Sequence, residues 1–499
     1  MKKSTSRYRR FSLIVILSFF ISESQGSETT KAISKNPKSF AVAPPAVEGT
    51  PIPLSMADAV SLGLRNNRAI RSAYLQRISQ KFNLRVAESK FTPQLSINGS
   101  YLNMRDSSNG VTDTTALTPA ATINIPTGAQ LSLTWANTST KMNDQNRLPS
   151  SVLTLSFIQP LLRNAGRDIS LASVRTARID ESINILNLKI TISQSIIQII
   201  FSYREFLRAQ NQLKIAEDAL SRSQSLLKIN NDLINVGRMA KIDIIQTEAD
   251  VASQELAVEE AANQIDSARL ALLSLLAIDS RANVLAVDAF FLKPISVDVN
   301  EALSIALEHQ PEYLSALLSI ERAKINLGVA KNQRLWDLSI VAAVTHNKNT
   351  SFLQNEIAQG QQKNTYVGLQ LAIPLTDLTH QQAEVAASTN LQSETLQMEE
   401  LRQSIEQRVR DAVRNVQTRW RQFEIAQRAR NLSLKKLEAE REKLQVGRSS
   451  NFQVLSFESD LRNAENAQLN TMNAYLNALT ILDQQQGKTL DSWQITPND

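Results

Sequence analysis

Along this 499-residue chain the spacing of apolar residues switches from three-and-four to alternation and back, and the whole series of switches occurs twice. In the first pass Leu62, Ala69, Ala73 and Val86 share one helical face. Alternation follows, with Leu95, Ile97, Gly99 and Tyr101 set against Gln94, Ser96, Asn98 and Ser100. After polar loops a second alternating run, Val152, Leu153, Leu155 and Phe157, ends at Pro160. The second pass has a helix through Ile305, Leu307, Leu314, Leu318 and Leu327, alternation from Leu338 to Val344, and alternation again from Val367 to Ile373, ending at Pro374. Proline is tolerated at a strand end and turns the chain there, so Pro160 and Pro374 are predicted strand-to-helix corners.

Each pass closes on a long helical stretch. Between Gly166 and Pro294, and between Pro374 and Gly487, there is no internal proline and a single internal glycine. Those glycines sit in the same tripeptide, Val236-Gly237-Arg238 and Val446-Gly447-Arg448. Proline breaks helix interiors and glycine weakens them, so each stretch predicts two helices folded back at one turn. The arms preceding the turns would run to roughly 100–115 Å if continuous. Helices of that length are stable in water only with their apolar stripes packed on partners.

The two passes are an internal duplication. Adding 243 to the early numbers carries Ala59 to Ala302, Ser72-Ala73 to Ser315-Ala316, Asn83-Leu84 to Asn326-Leu327 and Leu95-Ser96-Ile97 to Leu338-Ser339-Ile340, without a gap. Pro374 lies only 214 residues past Pro160, so the first half carries about 30 extra residues between its strands. These include Ala121 to Ile125 and Gln130 to Trp135 around Pro126-Thr127-Gly128, which reads as an added small hairpin. The predicted organisation is a signal peptide at 1–26, a flexible linker at 27–53, a first repeat at 54–293, a second at 294–488, and a tail at 489–499.

Lys2, Lys3, Arg7, Arg9 and Arg10 precede an apolar run from Phe11 to Ile21, and small residues follow at Ser24 to Gly26, the pattern of a secretory leader. The run is shorter than the about 20 apolar residues that span a bilayer. No later segment reads as a transmembrane helix, so a membrane passage by this chain would need a closed β-barrel. With no cysteine there is neither a disulfide nor an N-terminal lipid anchor. The formal charge of +6 resides largely in and just after the leader, and basic residues are otherwise mixed with acids, which argues against nucleic-acid binding. His309, His346 and His380 lack ligand spacing, and no phosphate loop or nucleophile elbow is present. No catalytic residue, metal or cofactor is expected. Trp135, Trp336 and Tyr101, near the predicted strands, suit an interfacial aromatic belt.

About four half-apolar strands per chain leave open edges, and four strands cannot close a barrel. Three chains would supply about twelve, inside the range of membrane barrels. Helix-rich and exported, the chain thus reads as mainly α with a membrane β-barrel portion, completed by other copies into a hollow tube.

In this light the motifs Met56 to Ala59 with Asn66-Asn67, Phe91 to Leu95, Gln159 to Leu162, Glu301 to Leu303, Val367 to Pro374 and Asn451 to Leu455 gain meaning through their order and spacing. With them, the chain from about residue 54 onward resembles the TolC family of outer-membrane efflux and secretion channels. The resemblance implies a homotrimer with a twelve-stranded barrel in the outer membrane of a Gram-negative bacterium and an α-helical tunnel across the periplasm. It also implies a periplasmic adaptor (membrane-fusion) protein docking at the tips Val236, Gly237, Arg238, Val446, Gly447 and Arg448, and an inner-membrane transporter supplying energy. Acids that narrow the entrance in relatives correspond here to Gln453 and Ser456, so an acidic constriction is not expected. Asp243 matches a family aspartate of an intersubunit polar network, but its arginine partner is replaced by Ser449 beside Arg448. Asp243, Gln453 and Ser456 are therefore the candidate gate positions. The implied function is the passive exit duct of a tripartite efflux pump. The alternatives are the outer-membrane component of type I protein secretion and, in another class, a periplasmic coiled-coil adaptor or scaffold.

Overall fold

The computed structural model describes residues 51–496, apart from 107–109, 144–145, 354–355 and 376–377. The expected signal peptide and nearly all of the expected linker lie outside the described residues. The first half comprises β1 (Ile52–Leu54), α1 (Met56–Asn66), α2 (Arg68–Glu88), β2 (Gln94–Asp106), β3 (Gly110–Asn124), β4 (Gln130–Met142), β5 (Leu148–Pro160), α3 (Arg167–Ser170), α4 (Ala172–Asn235) and α5 (Ile244–Leu276). The second comprises β6 (Val284–Ala286), α6 (Val299–His309), α7 (Pro311–Gln333), β7 (Asp337–Leu353), β8 (Glu356–Ala372), α8 (Thr379–Gln445), α9 (Asn451–Gln485) and α10 (Thr489–Ser492).

Both helical hairpins form as the sequence predicts. Each pairs a long arm with a short one: 64 residues in α4 against 33 in α5, and 67 in α8 against 35 in α9. The long arms are about 96 and 100 Å in length. Near the sheet, where the short arms have ended, α2 and α7 pack on α4, and α6 and α7 on α8. A long helix is thus partnered along its whole length by shorter helices, which satisfies its apolar stripe. Two cores lie at mid-height. One gathers Ile70, Ile192, Ile196, Ile199, Tyr203 and Leu272. The other gathers Ala302, Val409, Val413, Tyr475 and Leu482.

The helix expected at the start of each half is two helices. The break falls at Asn67 in the first half and at Gln310, 243 residues on, in the second; both have extended backbones and are buried. Pro311 disfavours helical geometry at Gln310 and starts the next helix well. Asn67 achieves the same result by capping, its side-chain oxygen accepting from the Ala69 and Ile70 amides.

The strands form one antiparallel sheet in the order β2-β3-β4-β5-β7-β8, so β5 of the first repeat pairs with β7 of the second. The expected count of about four is corrected to six. The added hairpin is not a small excursion; β3 and β4 are 15 and 13 residues long and sit inside the sheet. Pro119 hid β3 from sequence reading, since proline inside a central strand argues against a strand. The β3–β4 pairing accommodates it with a gap: pairs run to Leu117–Asn137 and resume at Ala120–Thr134.

Three smaller corrections follow. Ile52 and Pro53, expected in the linker, belong to β1, which pairs in parallel with β6. The expected 489–499 tail begins with α10, and Leu490, Trp493 and Ile495 pack on the first core. Finally, α4 does contain an 18-residue stretch of mean hydropathy 1.4, apolar enough to cross a membrane; four isoleucines of that helix (Ile192, Ile196, Ile199 and Ile200) are core residues.

Candidate functional site

Two regions of the described chain present chemistry to something outside it: the sheet and the helical tips. Alternation gives the sheet two unlike faces. Following one row across the six strands gives Leu95, Ala121, Leu133, Leu155, Val344 and Thr365. On this face Leu95, Ile97, Val367 and Leu369 are 80, 74, 76 and 71% exposed. A contiguous apolar surface of this extent is not what a monomer shows to water. The neighbouring row on the opposite face reads Ser96, Ala120, Thr134, Thr154, Thr345 and Asn364.

Aromatic residues bracket the apolar face. Trp135 is half exposed, and its indole N–H donates to Ser151 Oγ at 2.9 Å. Tyr101, four residues beyond the Trp135 level, donates to Asp113 at 3.0 Å. Trp336 lies at the helical end, where its carbonyl accepts from the Arg163 amide. From the Trp135 level to the Trp336 level is ten residues, about 26 Å for strands tilted by about 40°. That matches the ~25 Å apolar band of a membrane barrel. The corner prolines lie at this same end: Pro160 closes β5, and Pro374 follows β8.

At the opposite end the two turns have one geometry. Gly237 has φ +72° and Gly447 φ +73°. The Gly237 amide donates to Ile234 and the Arg238 amide to Leu233; the Gly447 and Arg448 amides donate to Leu444 and Lys443. This is a left-handed helix cap, which glycine adopts without strain. A Cβ at either glycine would meet nothing within 4 Å, so backbone conformation alone demands glycine there. All six residues of the two tripeptides are exposed, and exposed Ile242, Ile245 and Phe452 extend their apolar surface.

The tips are held to each other by groups that sequence reading passed over. Asn230 of α4, Thr247 of α5 and Asn451 of α9 are buried together. Asn230 Nδ2 donates to Thr247 Oγ1 at 2.7 Å and to Asn451 Oδ1 at 2.8 Å; Asn451 Nδ2 donates to Thr247 Oγ1 at 2.9 Å. Leu226, Leu437, Leu444, Val454 and Leu461 surround them as a third small core. Farther up, Arg222 of α4 bridges Glu458 and Glu465 of α9 at 3.0 and 3.3 Å, and Arg441 of α8 joins Glu458. A signal for two of the three was present: Asn230 follows Leu226 by four, and Asn451 precedes Val454 by three, so each is a polar residue on an apolar stripe.

The three candidate gate residues fall at this end. Asp243 precedes α5 half-buried, and its main-chain carbonyl accepts from Asn451 Nδ2 at 3.3 Å. Gln453 is half-buried in the first turn of α9, its amide capped by Ser450; Ser456 is exposed one turn on. Ser449, in the position of the expected arginine, donates to Glu440 at 2.7 Å within its own hairpin. With Lys443, this hydroxyl holds the Glu440 carboxyl below its ordinary range. The three histidines lie apart on α6, β7 and α8.

Neither a family model nor a curated relative matches this chain. Solved structures do, at full probability. The outer membrane channel CmeC of Campylobacter jejuni is 17% identical, with a TM-score of 0.65 over 87% of this chain and 86% of its own. The outer membrane protein VceC of Vibrio cholerae is 16% identical, with a TM-score of 0.66 over 87 and 96%. The open-state MtrE outer membrane channel of Neisseria gonorrhoeae is 16% identical, with a TM-score of 0.63 over 87 and 89%. The chain therefore has the TolC-type fold.

Proposed function

We propose that this protein is an outer-membrane channel of the TolC type, the passive exit duct of a tripartite efflux pump in a Gram-negative cell. One observation carries the proposal: a sheet with an exposed apolar face and two open edges stands on helical hairpins about 100 Å long. Only lipid suits that face, and only further strands suit those edges. Copies of the same chain supply them, so the working unit is a homotrimer, the assembly its fold implies. The hairpins then continue the barrel as a tunnel through the periplasm. The exposed turns around Gly237 and Gly447 receive an adaptor protein, which couples the duct to an inner-membrane transporter. Asp243, Gln453 and Ser456 line the approach to the periplasmic mouth, without an acidic ring.

A type I protein secretion system uses the same kind of duct, and nothing in the wall favours one cargo over the other. A soluble periplasmic scaffold is disfavoured by the apolar sheet face. Membrane fractionation followed by native mass measurement in detergent tests the proposal. The expected result is an outer-membrane trimer. A monomer that stays soluble without detergent would overturn it.

A further inference from the structure

We propose that three copies close an eighteen-stranded barrel whose inner wall is uncharged through the membrane belt, so that the bore there is wide and indifferent to the charge of what passes. This rests on the trimeric duct reading above and fixes its gauge. Six strands per chain are paired edge to edge from β2 to β8, with a two-position gap in the β3–β4 ladder at Pro119. The β3–β4 hairpin cannot be an appendage, because β3 pairs with β2 along 13 positions and β4 pairs with β5 along 11. With strands about 4.8 Å apart and tilted about 40°, eighteen give a backbone diameter of about 36 Å, and twelve about 24 Å.

The wall chemistry follows from the register. The face opposite the apolar one carries hydroxyl, amide and small side chains in the row Ser96, Ala120, Thr134, Thr154, Thr345 and Asn364. The rows on either side of it, from the Gln94 level to the Ser100 level, likewise hold no Asp, Glu, Lys or Arg among the described residues; on the same face Asp106 stands at the outer end of β2, and Asp337, paired with Arg163, at the helical end of β7. Neighbouring hydroxyls pair across strands, Thr122 with Ser132 at 3.1 Å and Thr154 with Thr345 at 3.4 Å. A wide, neutral wall focuses no field on a passing ion. Selection by size or charge is therefore left to the two ends of the passage.

The topology supplies its own control. β2 and β5 are antiparallel to each other, so replacing residues 104–146 with Asn-Gly makes them one hairpin. Leu95 then faces Leu155 and Ile97 faces Leu153, which keeps the apolar face apolar. Electron cryomicroscopy of the full chain, purified as trimers in detergent, should count eighteen barrel strands, and the shortened variant twelve. Because the chain has no cysteine, Thr154→Cys can be labelled cleanly. Cationic and anionic methanethiosulfonates should react with it at rates within about threefold of each other once each is divided by its rate with a small free thiol, whereas a charged wall would separate these normalised rates by tenfold or more. Leu155→Cys, facing lipid, should resist both. A trimer whose closed barrel has twelve strands, with β3–β4 outside it, would overturn this inference and leave the duct intact. A tenfold charge preference at Thr154→Cys in the normalised rates would overturn the neutral wall. A particle with no trimer or no lumen would sink both readings.

Discussion

Asn451 shows how one side chain can hold two helical hairpins in register. It serves Asn230 from α4, Thr247 from α5 and the Asp243 carbonyl at once. Truncation removes three hydrogen bonds from a buried site and leaves Asn230 and Thr247 only their bond to each other, at a cost of about 1–3 kcal/mol. We expect Asn451→Ala to speed hydrogen exchange at the tips while leaving the mid-height cores protected; exchange unchanged at 226–250 would contradict this. Glu440 offers a second check. Its carboxyl is favoured in the charged form by the Ser449 hydroxyl and then by Lys443. A carboxyl depressed on folding stabilises above its unfolded pKa, and that contribution disappears as the pH falls through the folded value. Tip protection should therefore weaken below about pH 4.5 and lose part of this dependence in Glu440→Gln. At this scale the sequence was only partly legible. Gly237 and Gly447 announced themselves because a left-handed cap admits few residues. Thr247 did not, because a buried hydroxyl is recognised by its partners, and these lie 17 and 204 residues away.

The two caps are identical in geometry and free of steric neighbours, which sharpens a test of their role. Gly237→Ala with Gly447→Ala meets open space and costs only left-handed strain, about 1–2 kcal/mol per site. Export in the native host should survive it. Gly237→Pro with Gly447→Pro forces φ near −65° and removes the donors to Ile234 and Leu444. Trimers should still form, because the barrel and both mid-height cores lie far from the tips, but export should be lost. Normal export by the proline pair would remove the docking role of these turns. Among elements, long helices were the most legible, since their 3.6-residue period persists over more than 60 residues. β3 was the least legible. Ala116, Ala120 and Thr118 make a weakly apolar run, Pro119 interrupts it, and only neighbours on both sides make it a strand. The helix breaks at Asn67 and Gln310 lie between: Pro311 was visible, but the repeat's unbroken register encouraged reading each pair as one helix.

For the molecule as a whole, the duplication made the architecture readable and the insertion made its gauge unreadable. The 243-residue offset tied the first helices together, and the smaller spacing of Pro160 and Pro374 located the extra residues correctly. That they enlarge the sheet, rather than decorate it, depended on the β2–β3 and β4–β5 pairings, which no local pattern specifies. At this scale we expect removal of residues 489–496 to abolish assembly. That segment places Leu490, Trp493 and Ile495 on the core built by Leu54, Ile199 and Leu276. Trimers of normal yield and thermal stability from the shortened chain would contradict this.

That docking of α10 has a bearing on biogenesis. A chain threaded across a membrane from its N-terminus delivers Leu54 early and Leu490 only after some 430 further residues. The first repeat must wait, incomplete, through nearly the whole of translocation. An unfinished subunit is a poor competitor for insertion, and a chaperone that shields apolar strands has time to act. The late arrival of one short helix would then be the cue that releases the subunit to its partners.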